Sequence, residues 1–126
     1  MKVSARRRKG YAHSVTVGQH TLIADEPPEQ GGTDTGPAPT ALLAASLAAC
    51  TAITLEMYAE RKGWEVGDLE VEVDYELDAA RFDVVIQVPG EVTDEQLDKL
   101  KTVAGKCPVH RLLTGDVQIT DEVKRA

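Results

Sequence analysis

Alternation of apolar and acidic residues marks the clearest strand of the chain. Across 68–77 an apolar residue stands at every second position, and most of the positions between are acidic. Such a strand turns one face to a core and the other to solvent. After a short turn, residues 82–88 supply a second apolar run. This part of the sequence therefore predicts a β-hairpin.

Residues 2–24 also have the pattern of strands. The run 14–17 alternates, Gly18 and Gln19 interrupt it, and 20–24 resumes it. Two such runs separated by two turn residues predict a β-hairpin. The segment that follows is rich in Pro, Gly and acids, so we expect a loop through residue 37. A long loop in a compact domain is often functional.

An uncharged run, 35–55, predicts the central helix of the fold. Pro39 or Thr40 suits its first turn and Gly63 its C-terminal end, so we place the helix at 38–63. A helix that is apolar on all sides must be covered on all sides. We therefore expect a second copy of the chain to cover it, in a homodimer. The run is as long as a membrane span, but Pro, Gly, Ser and Thr dilute it, so we expect no membrane partner.

The C-terminal third predicts helices and a last strand. Thr93 and Gln96 resemble a capping box at the start of a helix that ends near Lys106. Pro108 permits a second short helix, and alternation at 116–120 predicts a strand. The order, about β-β-α-β-β-α-β, is an α+β fold in a single domain, 1–126. Its predicted parts are 1–37 (β-hairpin and loop), 38–63 (central helix) and 68–126 (β-β-α-β).

Charge and composition narrow the classes of function. The net charge of −7 and the pI of about 4.9 disfavour a phosphate-binding surface, so we expect no nucleic-acid partner. The one basic cluster, 6–9, is interpreted as a solvated strand end. The N-terminus has no secretory pattern, and two cysteines are too few for a disulfide scaffold. We therefore expect a cytoplasmic protein with reduced thiols.

The two cysteines are the candidates for chemistry. Cys50 lies within the predicted central helix, and Cys107 precedes Pro108 at a helix boundary. Each can be an inert small hydrophobic residue, or the fold can bring them together as an attacking and a resolving thiol. His110 could share a helical face with Cys107. The lack of other clustered Cys and His argues against zinc, so we expect no metal and interpret His110 as a surface or capping residue.

Five segments together are distinctive. They are Asp25-Glu26-Pro27-Pro28, Gly31-Gly32-Thr33-Asp34-Thr35-Gly36-Pro37-Ala38-Pro39, Leu42-Leu43-Ala44-Ala45-Ser46-Leu47-Ala48-Ala49-Cys50-Thr51, Ala59-Glu60-Arg61-Lys62-Gly63-Trp64 and Lys106-Cys107-Pro108-Val109-His110. Over essentially the whole chain they closely resemble the OsmC/Ohr family of osmotically inducible and organic-hydroperoxide-resistance proteins.

The resemblance implies an OsmC-like fold, with antiparallel sheets packed on a long buried central helix in an intertwined homodimer. It also implies thiol-dependent reduction of organic hydroperoxides at two sites on the dimer interface. Cys50 matches the peroxidatic cysteine of the family, which the peroxide oxidises to a sulfenic acid. Cys107 matches the resolving cysteine, which forms a disulfide with it. An external dithiol reductant restores both thiols, and no metal or organic cofactor is implied.

Attack by a thiolate requires that the pKa of Cys50 be lowered. In the family an arginine from the N-terminal strands does this, held by a glutamate near the start of the central helix. Arg8 is the nearest match to the arginine. Thr40 stands ten residues before Cys50, where the family has the glutamate, and this departure suggests a divergent subgroup. The loop acids that could replace the glutamate are Glu26, Glu29 and Asp34.

We therefore predict an antioxidant, stress-response peroxidase. Its substrate-binding residues are predicted to be Thr40, Leu43 and Leu47, and its catalytic residues Cys50, Cys107 and Arg8. Two other functions stay open. One is a non-catalytic module that binds a small hydrophobic ligand, and the other is a redox sensor whose disulfide changes contacts with a partner. Turnover of a peroxide separates the first function from these two.

Overall fold

The computed structural model describes all 126 residues and contains five strands and three α-helices. They are β1 (Val3–Lys9), β2 (Ala12–Val17), β3 (His20–Ala24), α1 (Pro39–Lys62), β4 (Glu70–Glu76), β5 (Arg81–Gln87), α2 (Asp94–Ala104) and α3 (Pro108–Leu113). Antiparallel sheets and one long helix confirm the predicted α+β class. Contacts divide the chain into two compact units, Met1–Ala45 and Ser46–Ala126, with the boundary inside α1.

The first unit contains a three-stranded antiparallel sheet in the order β1-β2-β3. The predicted hairpin is confirmed as β2 and β3, with Val17 opposite His20. Gly18 sits in the turn with φ of 60°, a conformation that glycine adopts without steric cost. The sequence pattern did not separate β1 as a strand of its own. All seven residues of β1 are exposed, and it forms an edge of the sheet.

The loop between β3 and α1 is ordered around one buried carboxylate. Asp25 is 2% exposed and accepts hydrogen bonds from the Thr35 hydroxyl (2.7 Å), the Thr33 hydroxyl (2.9 Å) and the main-chain N–H groups of Thr35 and Glu26. These bonds, chiefly those from Thr35, hold the pKa of Asp25 well below its usual range. Gly32 has no room for a Cβ, which would overlap the main-chain oxygen of Glu26. The predicted loop is thus a specific structure that contains a short 3₁₀ turn, Pro28–Gln30.

The second unit is built on the β4–β5 hairpin, which confirms the prediction from alternation. Each strand has alternating half-buried and exposed residues. On the inner face Tyr75 pairs with Phe82, their rings stacked at 6.3 Å between centroids. The buried core of this unit joins the C-terminal half of α1 to α2. Its members are Leu55, Ala59, Val66, Leu100 and Val103.

The predicted capping box begins α2. The Thr93 side chain accepts a hydrogen bond from the main-chain N–H of Gln96 at 3.1 Å, and the Gln96 side chain accepts one from the N–H of Thr93 at 2.9 Å. The reciprocal bonds satisfy two N–H groups that a helix start leaves without partners. The predicted short helix after Pro108 is also present, as α3.

The predicted last strand at 116–120 is wrong for the single chain. Residues from 116 onward form no helix or strand, and Val117 and Ile119 are 49% and 78% exposed. The observed order is β-β-β-α-β-β-α-α, so the part 68–126 lacks its final β element. Alternation determines which side chains share a face, but a strand also needs a neighbour for its backbone hydrogen bonds. No strand of the same chain pairs with this segment.

Much of the apolar surface of α1 is uncovered within one chain. The helix is long and apolar enough to cross a membrane by length and composition, with a mean hydropathy of 1.6 over its most apolar stretch. Only 22% of that stretch is buried in the chain. Leu43, Ile53 and Met57 are each more than a third exposed. An uncovered apolar surface of this kind is typical of an interaction site.

Candidate thiol site

Two helices position the cysteines within the second unit. Cys50 lies in the middle of α1 and is half-buried, whereas Cys107 is fully buried at the N-cap of α3. Pro108 favours this arrangement, because it suits the first position of a helix and disfavours a helical conformation at the residue before it. Cys107 accordingly has an extended ψ of 134°. Both cysteines are free thiols.

The two side chains are neighbours, and each shifts the pKa of the other. The first turn of α3 lies next to both sulfurs, because the main-chain N–H of Val109 acts on the pKa of each of them. The N–H of His110 also donates to Cys107 Sγ, at 3.5 Å. The fold therefore brings together two thiols that lie 57 positions apart along the chain (107 minus 50).

The surroundings separate the acidities of the two thiols. Burial raises the pKa of Cys50, and the hydrogen bond to Cys107 and the negative charge there raise it further; the Val109 N–H and the Thr54 hydroxyl oppose this only in part. Burial also raises the pKa of Cys107. In that case the hydrogen bonds from Cys50, from main-chain N–H groups and from Thr51 outweigh burial, and the pKa is lowered. The surroundings therefore make Cys107 the more acidic thiol of the pair.

The less acidic thiol is the one that solvent can reach. Cys50 is partly open to solvent, whereas Cys107 is 0% exposed. An oxidant that arrives from solvent therefore meets Cys50 first. Cys107 is next to Cys50 and closed to solvent, so the oxidised Cys50 sulfur would have a second thiol beside it.

The second unit contains a cavity of about 580 Å³ whose walls include residues close in sequence to both cysteines. Leu47, one helical turn before Cys50, and His110, one turn after Cys107, both line it. Its other walls are mostly apolar and include Phe82. This volume is within the usual range for a small-molecule site. Of the three residues predicted to bind substrate, Leu47 is the one that lines this cavity.

The other predicted site residues belong to the first unit. Thr40 is exposed in the first turn of α1, and Leu43 is 41% exposed one turn later. Arg8 is exposed in the edge strand β1. Their roles stay predictions. Asp25, the buried acid of the loop, was not among the predicted candidates. The hydroxyl groups of the nearby Thr33 and Thr35 donate hydrogen bonds to it, and these two residues are the sequence signal that could have identified it.

His110 was interpreted as a surface or capping residue, and the structure shows one of its ring nitrogens to be buried. The residue is half-buried, and its Nδ1 is buried without a hydrogen-bond partner. It is the one buried side-chain polar atom of the chain in this condition. The spacing from Cys107 did suggest a shared helical face, but the burial of the ring depends on the cavity walls. No group of three or more His, Cys, Asp and Glu side chains is placed to hold a metal ion.

The fold is α+β, and it brings two free thiols next to each other. Residues 32–122 match the family model described as OsmC-like protein. The chain therefore belongs to the OsmC-like family, as the sequence motifs predict. It matches none of the curated proteins.

Solved structures show the same fold at low sequence identity. An OsmC-like protein from Mycoplasma pneumoniae is 20% identical with a TM-score of 0.78, over 90% of this chain and 86% of that one. The organic hydroperoxide resistance protein OsmC from Legionella pneumophila is 23% identical with a TM-score of 0.63, over 91% and 90%. The organic hydroperoxide resistance protein OhrB of Bacillus subtilis is 23% identical with a TM-score of 0.56, over 92% and 93%.

Replacement of either thiol should shift the pKa of the other, in opposite directions. Cys107→Ala should lower the pKa of Cys50, because it removes the hydrogen bond and the negative charge that raise it. Cys50→Ala should raise the pKa of Cys107, because it removes a donor to the thiolate. Ultraviolet absorbance of the thiolate against pH measures both shifts, with the urea-unfolded variants as controls. Unchanged titrations would show that the thiols do not interact.

Proposed function

We propose that this protein is a thiol-dependent peroxidase that reduces organic hydroperoxides through Cys50 and Cys107. The observation that carries the proposal is that the two free thiols are neighbours within one chain. The names of the Legionella and Bacillus relatives, which refer to organic hydroperoxide resistance, support it. In this proposal the protein acts in the cytoplasm, and an external dithiol supplies the electrons.

The mechanism follows from access and acidity. Cys50, the reachable thiol, passes its proton to Cys107 and attacks the terminal oxygen of the hydroperoxide. The O–O bond breaks, Cys50 becomes a sulfenic acid, and the departing alkoxide takes up a proton to become an alcohol. Cys107 then displaces hydroxide from the oxidised Cys50 sulfur, which forms the disulfide and, with a proton, water. A dithiol reductant returns both thiols.

The raised pKa of Cys50 sets the rate of the first step. Because that pKa is raised, little Cys50 thiolate is present near neutral pH. A cation that lowers this pKa would increase the reactive fraction. Arg8 is the proposed cation, and Thr40 offers only a hydroxyl to orient it. We therefore infer a peroxidase whose rate rises with pH as Cys50 ionises.

Oxidation of the proposed peroxidase should produce a disulfide within one chain. Reduced protein treated with cumene hydroperoxide should link Cys50 to Cys107, and the rate should rise with pH. Stopped-flow kinetics and non-reducing peptide mapping measure these results. Cys50→Ser should abolish peroxide reduction. Cys107→Ser is the matched control, which should react once and stop as a sulfenic acid.

Two results would contradict this prediction. If wild-type protein reacts no faster than a free thiol, the peroxidase proposal falls. If both cysteines are recovered free, or are oxidised separately, Cys107 does not resolve the sulfenic acid.

Thr40→Glu should raise the rate of peroxide reduction. A carboxylate at this position would orient the arginine as the family glutamate does, and this would lower the pKa of Cys50. Each unit of decrease gives about tenfold more thiolate while the thiol is mostly protonated. Thr40→Gln is the matched control, since it has similar size without the charge. If Thr40→Glu leaves a fast wild-type rate unchanged, another loop carboxylate holds the arginine, and Glu29 is the first to test.

The proposed peroxidase is a homodimer, because one chain leaves an apolar side of α1 uncovered. Ile53 and Met57 are 56% and 60% exposed in the chain alone. Light scattering should give about twice the chain mass of 13.6 kDa. Ile53→Arg should give monomer or unfolded protein, because a charge would be buried without a partner. Glu60→Arg, an exposed position on the same helix, is the control. A stable wild-type monomer at micromolar concentration would contradict this proposal.

The cavity supports a second candidate function. Its volume and mostly apolar walls would also suit a protein that binds a small hydrophobic ligand without turnover. A redox-sensing dimer would form the same disulfide but would not turn over many equivalents of peroxide. Multiple turnovers with excess dithiol therefore separate the peroxidase from both alternatives.

A further inference from the structure

We propose that His110 carries the proton in the second chemical step, when Cys107 attacks the oxidised Cys50. This inference rests on the proposed function and assigns a role that the two cysteines alone leave open. Its starting point is Nδ1 of His110, the one buried side-chain polar atom of the chain without a hydrogen-bond partner. Leaving such an atom without a partner is unfavourable in a folded protein. An apolar side chain at this position would avoid that cost.

The position of His110 connects this atom to the thiol pair. The main-chain N–H of His110 donates to Cys107 Sγ at 3.5 Å, so the residue that bears the unpartnered nitrogen also holds the resolving sulfur. The ring lines the cavity, whose walls also include Leu47, one turn from Cys50. His110 therefore contacts the resolving sulfur through its main-chain N–H and also lines the cavity.

The resting contacts leave Nδ1 available as a base. A buried N–H without an acceptor is rarer than an unpaired acceptor, so we assign Nδ1 as the acceptor nitrogen of the ring. The charged and titratable groups around it are the two thiols, the neighbouring Arg111, and Arg81 on the cavity wall, which is paired with Asp83 at 3.0 Å. None of these donates a hydrogen bond to Nδ1. The lone pair is thus free to accept a proton.

The proposed step balances with these groups alone. After the first step Cys50 is a sulfenic acid and Cys107 has received the proton of Cys50. Nδ1 of His110 takes that proton, and the Cys107 sulfur attacks the Cys50 sulfur. The S–S bond forms as the S–O bond breaks, and the protonated ring gives its proton to the departing hydroxide. The products are the disulfide and water, and His110 returns to its neutral form.

The test is to measure the two chemical steps separately in His110→Ala. We expect disulfide formation to slow by roughly 100-fold, a typical effect of losing a general acid–base group. Oxidation of Cys50 to the sulfenic acid should retain its wild-type rate, because His110 has no part in it. Rapid quenching with a sulfenic acid trap, followed by mass spectrometry, follows both species in one experiment.

Chemical rescue distinguishes proton transfer from packing. Added imidazole should restore disulfide formation in His110→Ala and should leave the wild-type rate unchanged. Leu113→Ala is the matched control, since it removes side-chain volume from the wall of the same cavity without removing an ionisable group. This control should form the disulfide within a fewfold of the wild-type rate.

Three outcomes would overturn the inference: a wild-type rate of disulfide formation in His110→Ala, a rate that imidazole does not restore, or an equal loss in Leu113→Ala. Each of these is distinct from failure of the proposed function. If wild-type protein forms no disulfide with cumene hydroperoxide, the peroxidase proposal itself fails, and oxidation with diamide then tests whether the thiols can pair at all.

Discussion

The contact between Cys50 and Cys107 is the interaction on which the chemistry of this protein depends. It exists because α1 and α3 place the two thiols next to each other, with the first turn of α3 beside both. The same contact makes the thiols unequal. Cys50 becomes less acidic, and Cys107 becomes more acidic. A single contact thus contributes to making Cys107 the more acidic thiol.

This arrangement places reactivity and access on different residues. The more acidic thiol, Cys107, is buried from solvent, whereas the accessible thiol, Cys50, is the less acidic one. A buried and more acidic Cys107 is suited to the proposed attack on oxidised Cys50, because that reaction takes place inside the protein. For the reaction with a peroxide, the pair needs help from outside its immediate surroundings. In the proposed cycle, Thr40 at the position of the family glutamate therefore affects the first step, the reaction of Cys50 with the peroxide.

One buried polar atom of the second unit, Nδ1 of His110, has no hydrogen-bond partner and adds a further candidate group to the site. The main-chain N–H of the same residue is committed to Cys107. His110 and Leu47 both line a cavity of about 580 Å³. In the proposed function this cavity would receive the small organic substrate.

The sequence by itself determined most elements and the family. Alternation identified the β4–β5 hairpin, the Thr93 capping box identified α2, and an uncharged run bounded by Pro39 identified α1, because these signals depend on neighbouring residues. The tertiary structure alone decided the contact between Cys50 and Cys107, the opposite shifts of their pKa values and the buried Nδ1 of His110, because burial and hydrogen bonding between distant segments have no local pattern. It also decided against a strand at 116–120, where alternation was present but no strand of the chain was available to pair with it.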